Sequence, residues 1–183
     1  MSEWFSEAKA VDTAVYGAIA ASDTPSLDVA MRGLSRAADH SKLWLALGAT
    51  LALFGGPSGR LAARKGLVSV GVASAFANLV AKPLSARRRP ERREAEELAR
   101  RHVQMPRSSS FPSGHAASAF AFATGAADAQ PMLSVPLRAL ATLVGYSRVH
   151  TGVHYPADVL AGAFIGVSAA ELARLIVPRH GRR

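Results

Sequence analysis

The stretch HYPADVLAGAFIGVSAAELARLIV, residues 154–177, decides how this chain folds. From Val159 to Val177 it is apolar apart from Ser168, Glu171 and Arg174, close to the about 20 residues a membrane-crossing helix needs. Pro156 marks the start, because proline fits the first helical turn, where its missing N–H has no partner anyway. Asp158, Gly162, Gly166 and Ala170 then recur four residues apart and share one face. Small residues at that spacing let a neighbouring helix approach closely. Asp158 therefore lies on the packing face, where a lone carboxylate is costly; an ionisable residue so placed is a functional candidate.

Outward from this segment the same pattern repeats. Apolar runs cover residues 43–54, ended by GGPSG, and residues 67–81, ended by Lys82-Pro83. Others cover about 115–129 and about 132–146. Several are shorter than a full span, but together they leave little polar face to solvate, which disfavours a soluble helical protein. The expectation is an all-α fold: a polytopic transmembrane bundle of about five to six helices, forming a single domain over residues 1–183. Residues 1–42 read as an amphipathic region. Thr24-Pro25 starts a helix in which Leu27, Met31, Leu34 and Ala38 form one face, with Asp28, Arg32, Arg36 and Asp39 on others. Trp44 is expected at the headgroup level. The block ERREAEELARRHVQ, residues 91–104, pairs Arg92 with Glu96 and Glu97 with Arg101, and reads as an extramembrane helix in the longest loop.

The chain has 183 residues, no cysteine and a net charge of +9. The lack of cysteine excludes disulfides, thiolate metal sites and cysteine nucleophiles. The basic balance fits nucleic acid, an anionic membrane surface or a phosphate-bearing substrate.

Three polar clusters interrupt the apolar pattern. The first runs from Lys82 to Arg89-Pro90. The second is FPSGHAAS, residues 111–118, where Pro112, Ser113 and Gly114 open a helix. Its free N–H groups and dipole suit a phosphate; Ser113 either caps the helix or donates to a ligand oxygen, and His115 lies in the first turn. The third is SRVHTGVHYPAD, residues 147–158. Arg148 can make paired bonds to phosphate oxygens. His154 stands i,i+4 from Asp158; a carboxylate accepting from Nδ1–H fixes the tautomer and leaves Nε2 as a nucleophile. If the runs are antiparallel neighbours, the loops around 82–114 and 147–157 meet on one membrane face. Cations, a helix N-terminus, an oriented histidine and a second histidine able to act as acid then form a site for attack on phosphorus.

Lys82-x6-Arg89-Pro90, Pro112-Ser113-Gly114-His115 and Ser147-Arg148-x5-His154-x3-Asp158 resemble, in order and spacing, the three signature motifs of the type 2 phosphatidic acid phosphatase superfamily. That superfamily includes lipid phosphate phosphatases, glucose-6-phosphatase and vanadium-dependent haloperoxidases. The resemblance covers residues 82–158. It implies a phosphohistidine mechanism in which His154 attacks phosphorus, Asp158 orients it, and His115 protonates the leaving oxygen and then activates water. It gives Lys82, Arg89, Ser113, Gly114 and Arg148 the phosphate oxygens to hold. It implies no metal and no cofactor. His150 is not a signature position and either lines the site or bonds structurally; His40, His102 and His180 fall outside the motifs.

The expected function is a metal-independent, integral-membrane phosphatase acting on a lipid phosphate or pyrophosphate, with the bilayer as its other partner and no nucleic acid. A polyprenyl-linked substrate leads, either a prenyl diphosphate or decaprenylphosphoryl-5-phosphoribose; phosphatidylglycerol phosphate and phosphatidate are alternatives. The rivals from other classes are a vanadate-dependent haloperoxidase and a non-catalytic protein that binds anionic lipid.

Overall fold

The computed structural model describes residues 3–92 and 101–178, and the regular elements among them are all helices. The helix expected over 91–104 lies mostly outside the described residues. The helices are α1 (Glu3–Ala21), α2 (Pro25–Ala37), α3 (Lys42–Phe54), α4 (Gly56–Ala75), α5 (Gly114–Ala129), α6 (Ser134–His150) and α7 (Pro156–Ile176). A 3-10 turn, Asp39–Ser41, links α2 to α3, and a π-helical turn, Phe76–Ala81, extends α4 to Lys82.

Helix α5 is the centre of the bundle and packs against α4, α6 and α7. Its sequence is rich in Ala, Ser and Gly, and it is buried nearly all round from Ala116 to Ala126. Side chains this small let backbones approach. An added Cβ at Gly162 would lie 2.4 Å from the Ser113 carbonyl oxygen, and one at Gly166 would lie 2.4 Å from that of Ala117. The four-residue register of α7 is therefore its contact face with α5, and Asp158, Gly162, Gly166 and Ala170 are all buried.

Around this core large apolar side chains point outward, among them Phe54, Leu79, Leu160, Phe164 and Leu175. So many exposed large apolar side chains favour a partner other than water. Among the described residues α7 is the one helix long and apolar enough to cross a membrane by itself. Helix α3, with 13 residues, extends only about 20 Å against a hydrocarbon core of about 30 Å.

Two expectations about the N-terminal third are corrected. Trp44 is not at an interface: it is fully buried, with its ring 5.5 Å from that of Phe122. The short helix α3 lies on α4 and reaches α5, so its first turn faces the core. On α2 the buried stripe takes in Asp28 and Ser35 beside Met31, while Leu27 is 37% exposed. The reason is that α2 packs on α6, whose polar residues supply partners for both.

Candidate active site

The loop after α6 turns back on itself. Gly152 adopts φ +70, a conformation that costs glycine nothing, and the N–H groups of Val153 and His154 both donate to the Arg148 carbonyl oxygen. His154 is thereby anchored to the residue that carries one of the site's cations. Arg92 holds the same loop through the carbonyl oxygens of Thr151 and Gly152.

Asp158 sits in the first turn of α7, fully buried. Its carboxylate accepts from the Tyr155 N–H at 2.9 Å, from Arg87 Nη1 at 2.8 Å and from the Ser110 hydroxyl. His154 Nδ1 lies 3.5 Å from Asp158 Oδ2 and makes no hydrogen bond within normal limits. The opposite nitrogen, Nε2, is 3.4 Å from Arg89 Nη1. A guanidinium carries no acceptor, so this approach favours a lone pair on Nε2 and the proton on Nδ1, facing Asp158. Burial, reinforced by Arg148 and Arg89 against the pull of Asp158, lowers the His154 pKa to about 4. The ring is thus neutral at ordinary pH.

The cations converge on the same space. Arg89 is braced by the carbonyl oxygens of Val153, Ser108 and Ser109, at 2.7, 3.0 and 3.1 Å. These acceptors are neutral, so none of them cancels its charge. Arg148, 2% exposed, bonds the Ser35 hydroxyl, and its Nε is buried without a hydrogen-bond partner. The Lys82 ammonium donates to Asn78 at 2.8 Å and lies 3.5 Å from where a Gly114 Cβ would be. Burial, then Arg89 and Arg148, lower the Lys82 pKa, as expected of a site carrying surplus positive charge. Ser113 is buried and caps α5, its Oγ accepting from the Ala116 N–H at 3.4 Å.

Lys82, Arg89, Gly114, His115, Arg148 and His154 line one cavity of about 740 Å³. Ser113 and Asp158 stand behind its wall. The sequence clusters thus meet at one end of the bundle. His150 does not join them: it is buried, with Nε2 2.7 Å from Asp28 Oδ1 and Nδ1 3.3 Å from the Tyr146 hydroxyl.

Other participants had no local signal in the sequence. Asp39 Oδ1 lies 2.9 Å from His115 Nε2. Arg36, His40 and Lys42 line the cavity beside it, and Arg107 lines it from the loop before α5. Asp12, on α1, accepts from the Ala157 N–H at 2.8 Å and from Arg87, tying the start of α7 to the first helix. The nearest clue for Arg87 was its place inside the first cluster; Asp12 and Asp39 carried none.

The model of the PAP2 superfamily matches residues 62–182. Decaprenylphosphoryl-5-phosphoribose phosphatase of Mycolicibacterium smegmatis is 36% identical over 157 residues, covering 84% of this chain and 79% of that protein. The enzyme of the same name from Mycobacterium tuberculosis (strain H37Rv) is 35% identical over 170 residues, covering 89% of this chain and 86% of that one. Among solved structures, a transmembrane PAP2 type phosphatidylglycerolphosphate phosphatase from Bacillus subtilis superposes with a TM-score of 0.71 at 25% identity, covering 96% of this chain and 89% of its own. Aquifex aeolicus LpxE shares the fold, with a TM-score of 0.64 at 21% identity over 88% of this chain and 93% of its own. The family match, the two long alignments and the convergence of the three clusters lead to one conclusion: the chain belongs to the PAP2 superfamily and is a lipid phosphatase.

Proposed function

We propose that this chain is a multi-pass membrane phosphatase that removes a terminal phosphate from a polyprenyl-linked lipid through a phosphohistidine intermediate. The observation that carries the reading is His154: a buried, neutral imidazole whose Nε2 opens onto a cavity lined by Lys82, Arg89 and Arg148. His154 Nε2 forms a bond to phosphorus while the bond from phosphorus to the lipid oxygen breaks. His115 gives a proton to that oxygen. Water then attacks phosphorus, His115 takes its proton, and the N–P bond breaks to release inorganic phosphate and restore His154. Asp158 holds the Nδ1 side of the ring throughout. Lys82, Arg89, Arg148 and the N-terminus of α5 at Ser113-Gly114 neutralise the charge that builds on the phosphoryl oxygens, so no metal is needed for that task.

The substrate reading rests on the long alignments with the decaprenylphosphoryl-5-phosphoribose phosphatases and on the cavity itself. At about 740 Å³ it is far larger than a phosphate group. Its rim adds Arg36, Lys42 and Arg107, suited to a headgroup with a second anionic centre. The single domain spans residues 1–183, with its catalytic motifs in 82–158, and the apolar exterior supports several membrane passes.

The test is phosphate release, without added metal, from purified protein given decaprenylphosphoryl-5-phosphoribose, a prenyl diphosphate, phosphatidylglycerol phosphate and phosphatidate. The phosphoribosyl lipid is expected to be turned over fastest and His154→Ala to be inactive on all four. Wild-type turnover by His154→Ala refutes the phosphohistidine step.

A further inference from the structure

Asp39 is placed at the cavity by an unusual piece of backbone. It opens the 3-10 turn between α2 and α3, and the next two residues, His40 at φ 54 and Ser41 at φ 60, are both left-handed. Neither is a glycine, so the conformation is strained, and strain of this kind persists where the surroundings over-determine it. The turn sets the Asp39 carboxylate 2.9 Å from His115 Nε2 and 3.7 Å from Arg148 Nη1. The hydrogen bond from His115 is the main reason the Asp39 carboxyl titrates below its usual range.

The charge around His115 makes this contact consequential. Arg148 approaches from α6 and Lys82 from the end of the π-helical turn, while His40 lies beside Asp39. All these groups except Asp39 are cationic or neutral. Burial, then Arg148 and Lys82, disfavour a proton on His115, yet the proton donor of the first step must carry one. Among the described residues, Asp39 is the one carboxylate on the cavity wall that answers this requirement.

We propose that Asp39 is a positioning residue of the hydrolysis, holding His115 by Nε2–H so that the opposite nitrogen, Nδ1, faces the reacting oxygen and delivers its proton there. In the first step Nδ1–H goes to the lipid oxygen as the P–O bond breaks, leaving a neutral ring still bonded to Asp39. In the second step Nδ1 takes a proton from the attacking water. The arrangement gives both histidines a carboxylate partner: Asp158 for the nucleophile and Asp39 for the acid. The proposal rests on reading His115 as the proton donor.

Leaving-group dependence tests it, because an alkoxide needs a proton to depart and a nitrophenolate hardly does. The full-length protein in detergent is assayed as kcat/KM on a lipid phosphate and on p-nitrophenyl phosphate, across pH, for wild type, Asp39→Asn and His115→Ala. Asp39→Asn is expected to lose about 10- to 100-fold on the lipid phosphate, part of the about 10²–10⁴-fold that acid–base catalysis contributes, but less than about threefold on the aryl phosphate. The alkaline limb of its lipid profile is expected at lower pH, because a carboxylate beside the ring favours the protonated form. Equal losses on both substrates with an unmoved limb, or wild-type behaviour on both, overturn the proposal. If His115→Ala itself works at the wild-type rate on the lipid phosphate, the proton-donor reading falls and the proposal with it. A His115→Ala defect alongside an unaffected Asp39→Asn removes Asp39 alone.

Discussion

Replacing Gly162 by alanine tests whether the α5–α7 contact sets the geometry of the site. The added methyl would lie 2.4 Å from the Ser113 carbonyl oxygen, 3.0 Å from Ala116 Cβ and 3.2 Å from Ala117 N. Ordinary contact begins near 3.4 Å, so α7 must move off α5 by about 1 Å. The obstructing atoms are mostly backbone and cannot rotate away. Overpacking of this kind costs about 1–3 kcal/mol. In a chain of this length each kcal/mol lowers the apparent Tm by about 2–4 °C. The effect on turnover is expected to be larger in proportion. Helix α7 carries Asp158 and α5 carries Gly114 and His115, so a shift between them separates the proposed support of the nucleophile from the proposed acid. A misplacement of about 1 Å can lose about 100-fold in rate. The assays are thermal unfolding in detergent and kcat/KM on a lipid phosphate. Gly71→Ala is the control: nothing lies within 4 Å of its added Cβ, and it is expected to be neutral or slightly stabilising. A Gly162→Ala protein with wild-type Tm and rate refutes the claim that this contact positions the site.

Protonation of His154 gives a second expectation. Its pKa falls from 6.5 in the unfolded chain to about 4 in the folded protein. As pH drops below about 6.5 the unfolded state takes up a proton that the folded state refuses, so stability declines until about pH 4. The full effect is on the order of a few kcal/mol. His154→Gln is expected to flatten the fall of Tm over this window, and parallel curves for the two proteins contradict the assignment. His150→Ala probes the neighbouring histidine: loss of its bonds to Asp28 and Tyr146 is expected to cost about 1–3 kcal/mol in unfolding experiments. Its kcat/KM is expected to stay within about tenfold of wild type, and a loss matching that of His154→Ala would place His150 in the chemistry.

The meeting of the three polar clusters at one cavity could be read from the chain because their signals are local. The four-residue register of Asp158, Gly162, Gly166 and Ala170 is a helix face in the sequence and the contact face in the fold. Pro83, Pro112 and Pro156 sit at the helix ends that open onto the cavity. What escaped was long-range. Asp39 reaches His115 across 76 positions, Asp28 reaches His150 across 122, and Asp12 reaches Ala157 across 145. No periodicity records such pairings, and on α2 a buried Asp28 looks the same in sequence as a solvated one. Trp44 failed for a related reason: composition places an aromatic near an apolar boundary but does not say which way α3 turns it.

The bonds that Asp12, Asp28, Ser35 and Asp39 make to later parts of the chain bear on how the protein is made. These four are synthesised first, and their partners at Arg87, His115, Arg148, His150 and Ala157 come later. Before α5 and α6 are made, Asp39 lacks its His115 partner and Asp28 its His150 partner. An unpaired carboxylate does not enter hydrocarbon readily, which favours an aqueous boundary for the first two helices until those partners arrive. Docking of α1 and α2 against α6 and α7 closes the longest loops in the molecule, and contacts that distant in sequence are slow to form. The Asp39 wall of the cavity needs α5 and α6 in place, and the His154 side needs the chain as far as Asp158, so the proposed site is complete only late in synthesis.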